Sequence, residues 1–586
     1  MRQWMVAAKK ADFYAIAEKF HVDPVVARII RNREVIGEKN IRIYLGGNLS
    51  DLSDPHQMKD MDRLVEILAQ KIRKQVRIRI IGDYDVDGVT SSHLFLMALR
   101  RVGAKVDVVI PHRIQDGYGL SLHLLQQAKE DGVDTILTCD NGIAAIDEIA
   151  WAKAQKMTVL VTDHHAVPFE EHEGRRTEKK SLADAVVNPH QQDCGYPYKE
   201  LCGAGVAWNV IRVLYENYDM DKREAEDLLD FVAMATVCDV MSLTGENRIL
   251  VKEGLKRIRH TKNIGLQALM QACNVQPENI SAYHFGYVLG PCVNATGRLD
   301  TARHALRLFE TGQETEAEEI ARDLVDLNQE RKELTLQGVE MAKKLCEEGG
   351  YENDPVLVLF LPDVHESIAG LIAGRIREMY NRPVFVLTRG EEGVKGSGRS
   401  TENYSMYENM CGCAELFTKF GGHPMAAGLS LPEENVEKFR RKINENCPLT
   451  VEEVCPDIHI DMAMPVGYAS TELVHQFALL EPFGKDNPSP LFADRNLSIS
   501  RMWVIGKNRN VLRMSVLSEY GQPVPVIFFG DVETLFAYFT EKFGQEEVEN
   551  ALHGRKNRIL FSMVYTAKID FYQGNENLQL EMKYYR

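Results

Sequence analysis

Three aspartates, Asp83, Asp85 and Asp87, stand at alternate positions in "GDYDVDG", directly after the β-branched run "VRIRII" (76–81). In an extended segment residues two apart point to the same side, so Asp83 and Asp85 converge at the carboxyl end of a strand, with Asp87 either joining them or turning away. Two further apolar runs end alike: "TILTCD" places Asp140 at its tip, and "TVLVTDHH" places Asp163, His164 and His165 at its own. So many carboxylates cannot share one place uncompensated, because like charges drive several into protonation. A bound cation resolves the conflict. The donors are mostly hard carboxylate oxygens with one or two imidazoles, a set suited to Mn²⁺ or Mg²⁺ rather than structural zinc, and a bridging carboxylate allows a pair of ions about 3.5–4 Å apart. Such a pair clamps a phosphoryl group and activates a water, which predicts hydrolysis of a phosphoester or phosphoanhydride. The D-x-D-x-D-G spelling also opens an EF-hand loop. Position twelve counted from Asp83 is Leu94 where that loop needs a glutamate, and a strand precedes it where a helix is required, so the EF-hand reading fails. A lone Asp at a strand end is ordinarily a helix cap, and a His pair ordinarily a surface feature; three acidic tips in succession on one sheet fit neither.

These tips need a scaffold, and the sequence around them supplies it. From 76 to about 190, short apolar runs ("VRIRIIG", "AKVDVVIP", "TILTCD", "TVLVTD", "DAVVNP") alternate with helix-length stretches. Nearly all-apolar strands separated by helices indicate a parallel sheet covered on both faces, a doubly wound α/β domain whose ligands bind beyond the carboxyl ends of its strands. A helical stretch follows over roughly 203–310, then the charged run 316–348, uninterrupted by Gly or Pro until Gly338 and suited to a connecting helix. A second α/β unit begins at "DPVLVLFLP" (354–362) and returns in "RPVFVLTRG" (382–390). From about 495 strand-like pieces dominate, with one clear helix at 531–543. They suggest a small β-barrel of the oligonucleotide-binding (OB) type, although a two-sheet sandwich has the same signature. The expected boundaries are a helical lead-in over 1–75, the catalytic α/β domain over 76–312, a connecting helix over 313–350, the second α/β domain over 351–450 and the barrel over 451–586.

At 586 residues the chain is too long for one core, and its 45% hydrophobic and 26% charged content is that of globular protein. The N-terminal stretch lacks the features of a signal peptide and no apolar run approaches a membrane span, so a cytoplasmic protein without membrane contact is expected. Eleven scattered cysteines fit a reducing compartment; the C-G-C of Cys411 and Cys413 has no companion ligands at zinc-site spacing. A net charge of −16 excludes a uniformly basic surface but not a local one, and the basic runs 71–79, 174–180 and 256–262 taken singly read as solvated faces.

In order, "GDYDVDG", "TCDNG", "TDHH" and "ATVCDVMSL" resemble the four motifs of the DHH phosphoesterase superfamily. Within it, D-Y-D-x-D-G, "PHRIQDGYGL" (111–120), "LCGAGVAW" (201–208) and "NATGRLD" (294–300) are similar to the RecJ family of single-strand-specific exonucleases. "GSGRS" (396–400) and "FGGHPMAAG" (420–428) resemble the DHH-associated domain, and "LLEPFGKDNPSPLF" (479–492) the start of that family's OB domain. The likeness runs from about residue 40 to the C-terminus. It implies a 5′-to-3′ exonuclease that degrades single-stranded DNA to mononucleotides with Mn²⁺ or Mg²⁺, two ions together, in DNA repair and recombination. By motif, Asp83 and Asp85 would ligate metal, Asp140 would bridge the ions, His164 and Asp239 would complete the set, and Asp163 would orient it. His165 would contact the scissile phosphate or its leaving oxygen. Ser397, Arg399 and His423 would hold the nucleotide's phosphates, and Arg113, Asn294 and Arg298 would line the strand's path. The glycines of "GVKGSGRS" also offer flexible backbone donors beside an Arg, and those of "GGHPMAAG" permit close approach.

On this reading the barrel grips the strand by charge and stacking, with Trp503, Phe528 and Phe529 as stacking candidates and Lys507, Arg509 and Arg513 as phosphate contacts. A helicase and a single-strand-binding protein are the expected partners of a monomer. Two alternatives stand beside it: a superfamily phosphodiesterase acting on short oligonucleotides, cyclic dinucleotides or pyrophosphate, and a non-catalytic strand-binding replication factor. The barrel favours a polymer over the first, and the intact acidic motifs favour catalysis over the second. The charged segment 170–181 is an insertion without evident role.

Overall fold

The computed structural model describes residues 3–113, 116, 119–172, 175–390, 393–506, 509–572 and 574–586. The chain divides into two compact units, one formed by Asn48–Pro456 and the other by Gln3–Gly47 with Asp457–Arg586.

The first unit carries the acidic tips. Strands β1 (Arg77–Ile81), β2 (Lys105–Val109), β3 (Thr135–Cys139), β4 (Thr158–Thr162) and β5 (Ala185–Val187) form one all-parallel sheet in the order β2-β1-β3-β4-β5. Alternate residues feed two cores: Ile78, Ile80, Leu137 and Leu160 face the larger helical layer, while Ile81, Ile136, Val159 and Val161 pack with Leu124, Leu125 and Ile149 on the other face. The sheet is therefore doubly wound, and the chain turns one way from β1 to β2 and the other way to β3. That switch point at β1 opens a crevice beyond the strand ends, where the three acidic tips stand side by side as the sequence predicts. The charged insertion folds as a two-stranded hairpin, Phe169–His172 against Arg175–Glu178.

Four helices deliver the remaining motif residues: α1 (Val86–Arg101), α2 (Gly203–Asn217), α3 (Leu229–Cys238) and α4 (Gly290–Leu299). α1 is buried from Val86 through Leu96, so its register is set by packing on both sides. The connecting helix α5 runs unbroken over Glu314–Glu348, 35 residues, and leads into the second α/β part. There β6 (Leu357–Phe360) is parallel to β7 (Val384–Gly390) across α6 (Ala369–Tyr380), and the sheet is extended by antiparallel β8 (Gly393–Arg399), β9 (Lys419–His423) and β10 (Ala426–Leu431) in the order β9-β10-β8-β7-β6. "GSGRS" thus lies on a regular strand whose backbone groups serve the sheet ladder. The expectation of flexible donors is replaced by a rigid strand that presents alternate side chains.

In the second unit β11 (Phe492–Ile505), β12 (Val511–Leu517), β13 (Pro523–Phe529), β14 (Leu560–Tyr572) and β15 (Asn575–Tyr585) are ordered β11-β12-β13-β15-β14, and β11 pairs back with β14. That closure distinguishes a barrel from a sandwich. The expected helix forms over Val532–Phe543, followed by a second, Gln545–Leu552. Residues 3–47, expected within one lead-in ending at 75, join this unit: Val25, Val26, Ile29, Ile30, Ile41 and Tyr44 share a core with Phe492, Leu512 and Phe561. Helix periodicity alone carries no address for the surface it covers. The attachment is sealed by Arg33, whose Nη1 and Nη2 donate to the two oxygens of Asp461 at 2.7 and 3.1 Å. Both side chains are under a tenth exposed.

Removing one partner of such a pair strands the other charge in a low-dielectric place. Asp461→Ala is expected to lower the unfolding free energy of this unit by about 3–5 kcal/mol, read as a reduced midpoint in urea; an unchanged midpoint would show that the pair contributes nothing to seating residues 3–47.

Candidate metal centre and phosphate cleft

Asp83 follows β1, and Asp85 caps α1, accepting from Gly88 N–H at 3.0 Å. Gly88 packs so closely on the Asp83 backbone that a Cβ there would lie 2.5 Å from its nitrogen, which brings the two acidic residues together. Asp140 follows β3 in the left-handed region at φ 61°, a conformation disfavoured for a non-glycine residue and maintained by its surroundings. The start of α2 presses on it: a Cβ on Gly203 would come 2.6 Å from the Asp140 Cβ.

One carboxylate oxygen from each of Asp83, Asp85 and Asp140 lies within 4.8 Å of the others, and two further groups, Asp140 with His164 and His165, and Asp87 with His164 and Asp239, meet the same criterion. His164 joins them: its Nε2 is 3.0 Å from Asp140 Oδ1 and 3.6 Å from both Asp87 Oδ2 and Asp239 Oδ2. Asp239 arrives at the C-terminal cap of α3. All five residues proposed as metal ligands from sequence, Asp83, Asp85, Asp140, His164 and Asp239, therefore fall into one connected set.

Asp163 and His165 have a different place. Asp163 Oδ1 accepts from the backbone N–H of His164 (2.7 Å) and His165 (3.0 Å) and pairs with His165 Nδ1 at 2.8 Å, while Oδ2 accepts from Ile143 N–H at 2.9 Å. Burial works against its charge, but the His165 hydrogen bond, the two imidazoles and the Ile143 N–H hold its pKa below the ordinary value. It is a fully engaged support that aims the His165 ring. Burial likewise opposes a charge on His165, yet the Asp163 hydrogen bond and the surrounding carboxylates raise its pKa to about 9.

Asp87, left open by the sequence, has a role that its spacing alone understates. Its carboxylate turns to the N-terminus of α2, accepting from Gly203 N–H at 2.6 Å and Ala204 N–H at 2.7 Å, a site that favours anions. It thereby pins the helix that crowds Asp140. The signal lay in "LCGAG", whose small residues leave backbone N–H groups approachable.

The donor set fits a divalent cation on the protein's own terms. Among the described residues the buried Asp83 Oδ1 has no hydrogen-bond partner. Burial, reinforced by Asp85 for Asp83 and by Asp87, Asp85 and Asp239 for Asp140, drives both carboxyls well above the ordinary carboxylate range. Acidic oxygens and one imidazole are what Mn²⁺ or Mg²⁺ takes.

Within the same unit a cleft of about 440 Å³ is lined by Tyr84 and Arg113 on one side and by Ser367, Lys395, Ser397, Lys419 and Phe420 on the other. Tyr84 lies between Asp83 and Asp85 in the chain, so this cleft adjoins the metal centre. Arg113 sits 4.9 Å over the Tyr84 ring. Arg298 donates to the Ser367 carbonyl at 2.7 Å; burial and the charges of Arg113, Arg331 and Arg399 lower its pKa to about 10. Arg399 is lowered too, by burial and by Arg113 and Arg377. These guanidiniums press on one another, and an anionic group among them relieves the repulsion. Asn294 Oδ1 accepts from Val86 N–H at 3.2 Å and so fastens α4 to the start of α1. His423 is exposed at the end of β9 and does not line the cleft. On the barrel, Phe528 is buried in the core while Trp503 and Phe529 are exposed. Trp503 pairs across strands with Arg513 and is 5.6 Å from the Arg501 guanidinium, a stacking surface with charge beside it. Arg509 is exposed; Lys507, like positions 114, 115, 117 and 118 of the "PHRIQDGYGL" motif, lies outside the described residues.

Raised carboxyl pKa values have a signed consequence. The metal-free native state holds protons on Asp83 and Asp140 that the unfolded chain releases near pH 4, so their contribution to stability is complete below that pH and is lost as pH rises through the native values. A cation displaces those protons. The rise in melting temperature produced by Mn²⁺ is therefore expected to be larger at pH 7.5 than at pH 5.5, with proton release detectable by calorimetry. Equal shifts at both values, without proton release, would exclude these carboxylates as ligands.

Residues 77–236 match the DHH family N-terminal domain, 353–447 the DHHA1 domain and 460–584 the RecJ OB domain. The single-stranded-DNA-specific exonuclease RecJ of Haemophilus influenzae is 32% identical over 582 residues, 96% of each chain, and that of Escherichia coli is 32% identical over 95% of each. The Bacillus subtilis protein of the same name is 33% identical over 87% of this chain, a match that spans 63% of its own length. RecJ from Thermus thermophilus, crystallised in complex with Mn²⁺, superposes with a TM-score of 0.81 at 25% identity, over 100% of this chain and 79% of that one. Carrying these three domains and matching two of these relatives nearly end to end, the chain belongs to the RecJ family of DHH phosphoesterases.

Proposed function

We propose that the protein is a metal-dependent, single-strand-specific DNA exonuclease that removes 5′-mononucleotides in the 5′-to-3′ direction during DNA repair and recombination. The observation that carries this reading is the junction, within one unit, of the Asp83, Asp85, Asp140, His164 and Asp239 cluster with a basic cleft of about 440 Å³ lined by Arg113, Lys395 and Lys419.

In this reading those five residues hold a pair of divalent ions, which supply an activated water and neutralise the charge that builds on the phosphate. The protein's own groups do the rest. Asp163 orients the His165 ring through Nδ1, and the imidazole meets the scissile phosphate or its leaving oxygen. Arg113, Arg298 and Arg399 bind the phosphate of the terminal nucleotide and fix its distance from the metals. Ser397 and Lys395 on β8 line the same cleft, and His423, two residues beyond Gly421 of that lining, would reach the phosphates from the end of β9. Trp503 and Phe529 give the barrel a surface on which bases stack.

An exonuclease confined to single strands needs duplex opened for it and meets strands already coated, so a helicase and a single-strand-binding protein are its natural partners. No helix among the described residues is long and apolar enough to cross a membrane; the proposed setting is the cytoplasm, with the chain acting as a monomer.

The test is Mn²⁺-dependent digestion of a long strand labelled at one end or the other, beside a blunt duplex. Immediate release of the 5′ label as a mononucleotide, with the duplex spared, is expected. Asp140→Ala should lower the rate by about 10³-fold or more while strand binding persists. Turnover of dinucleotides without digestion of polymer would move the substrate to small molecules, and digestion by Asp140→Ala at a rate near wild type would refute the site.

A further inference from the structure

Asn294 and Arg298 are two points on a longer track. The helical run continues N-terminally from α4 through Phe285–Leu289, a π-helical turn, to Ala282–His284. π-turns inside helices occur mostly at functional sites. The run is fastened at three places along its length. Near its start the Cys238 thiol donates to the Phe285 carbonyl at 3.3 Å, one residue before Asp239. In the middle Asn294 accepts from Val86, one residue after Asp85. At its end Arg298 donates to Ser367 in the wall of the cleft. The run therefore passes the metal centre, with the nucleotide cleft at one end.

Its accessible side is continuous. Between 290 and 298 only Pro291, Asn294 and Arg298 are accessible, and the preceding turns put Tyr287 and Tyr283 forward. These tyrosines are 70% and 62% exposed, values that set them apart from the buried aromatics of this unit's core. Their rings are stacked on each other, with centroids 5.1 Å apart and 23° between planes. Val240, directly after Asp239, is also exposed. Eleven residues separate Tyr287 from Arg298, about 16 Å along the helix. If the terminal nucleotide lies in the cleft by Arg298 and the scissile phosphate at the metals, the rest of the strand leaves on the Asp239 side, where the tyrosines stand.

We propose that Tyr283 and Tyr287 form a base-stacking platform for single-stranded DNA on the 3′ side of the cut, holding the strand that remains after each nucleotide is removed. The proposal rests on the exonuclease reading. Every base has a π-face, so such a platform is indifferent to sequence, and two mutually stacked rings are preordered for it. Arginines hold one end of the substrate by charge; the tyrosines hold the other by stacking.

The experiment compares Tyr283→Ala/Tyr287→Ala with Tyr283→Phe/Tyr287→Phe and with the parent chain. In an Asp140→Ala background, the alanine pair should weaken binding of a long 3′-labelled strand about tenfold, by fluorescence anisotropy, and the phenylalanine pair should retain it. In the active enzyme the alanine pair should raise KM for the long strand by a similar factor, and the advantage of long strands over a trinucleotide should shrink. Exposed positions of this kind leave the fold intact, checked by an unchanged melting temperature. Normal digestion with tyrosine-independent binding and KM would overturn the platform and leave the exonuclease reading standing. Tyrosine-dependent strand binding by a parent chain that digests no polymer would overturn the exonuclease reading and support the platform as a binding site.

Discussion

The structure depends on the repulsion among carboxylates gathered where the sheet changes direction. Asp83, Asp85, Asp87, Asp140, Asp163 and Asp239 converge on the strand ends with few cations of the chain's own among them, in surroundings where unscreened like charges are costly. The fold deals with two of them internally. Asp87 receives the first N–H groups of α2, and Asp163 receives three backbone N–H groups and an imidazole. The other four, with His164, are left for an external charge. That division explains why a motif with three alternating aspartates is not three equivalent ligands: the first two face the site and the third anchors a helix.

The same helix shows how the site resists relaxing. Asp140 is held in a left-handed conformation that the chain would otherwise abandon, and the absence of a side chain at Gly203 lets α2 close on it. Asp87 fixes α2, and Gly88 fixes the spacing of Asp83 and Asp85. Asp83, Asp85 and Asp140 are thus placed by backbone packing and by neighbours outside the proposed ligand set, which preorganises these donors.

Much of this was legible in the sequence because periodicity and punctuation carry it. Apolar strands ending in Asp, the charged run 316–348, and the second α/β unit beginning at 354–362 and returning at 382–390 all folded as their patterns predict. What was not legible depended on partners far along the chain. The first 47 residues carry an amphipathic pattern but not the identity of the barrel they cover, and the glycines of "GSGRS" read as flexible donors although cross-strand neighbours make the segment part of a strand. Arg298 announced itself by motif, whereas the mutual repulsion of Arg113, Arg298 and Arg399 required their convergence in space. Tyr283 and Tyr287 sit in a helix whose neighbours are mostly buried, and nothing in one sequence separates an exposed aromatic from a core one.

Rigid connection between the two α/β parts of the first unit bears on the size of the product. The 35-residue helix α5 leads directly into the part that carries β8 and the cleft wall, and the Arg298 bond to the Ser367 carbonyl ties α4, beside the metals, to that wall. Two independent ties of this kind leave little freedom in the distance from the metal centre to the cleft's far side. A phosphate seated among Arg113, Arg298 and Arg399 then sets how much chain reaches the metals, in the manner of a ruler. On the exonuclease reading, one nucleotide per cut would follow from that fixed distance and not from any recognition of the base, and the arginine contacts proposed for the terminal phosphate would then define the product as a mononucleotide.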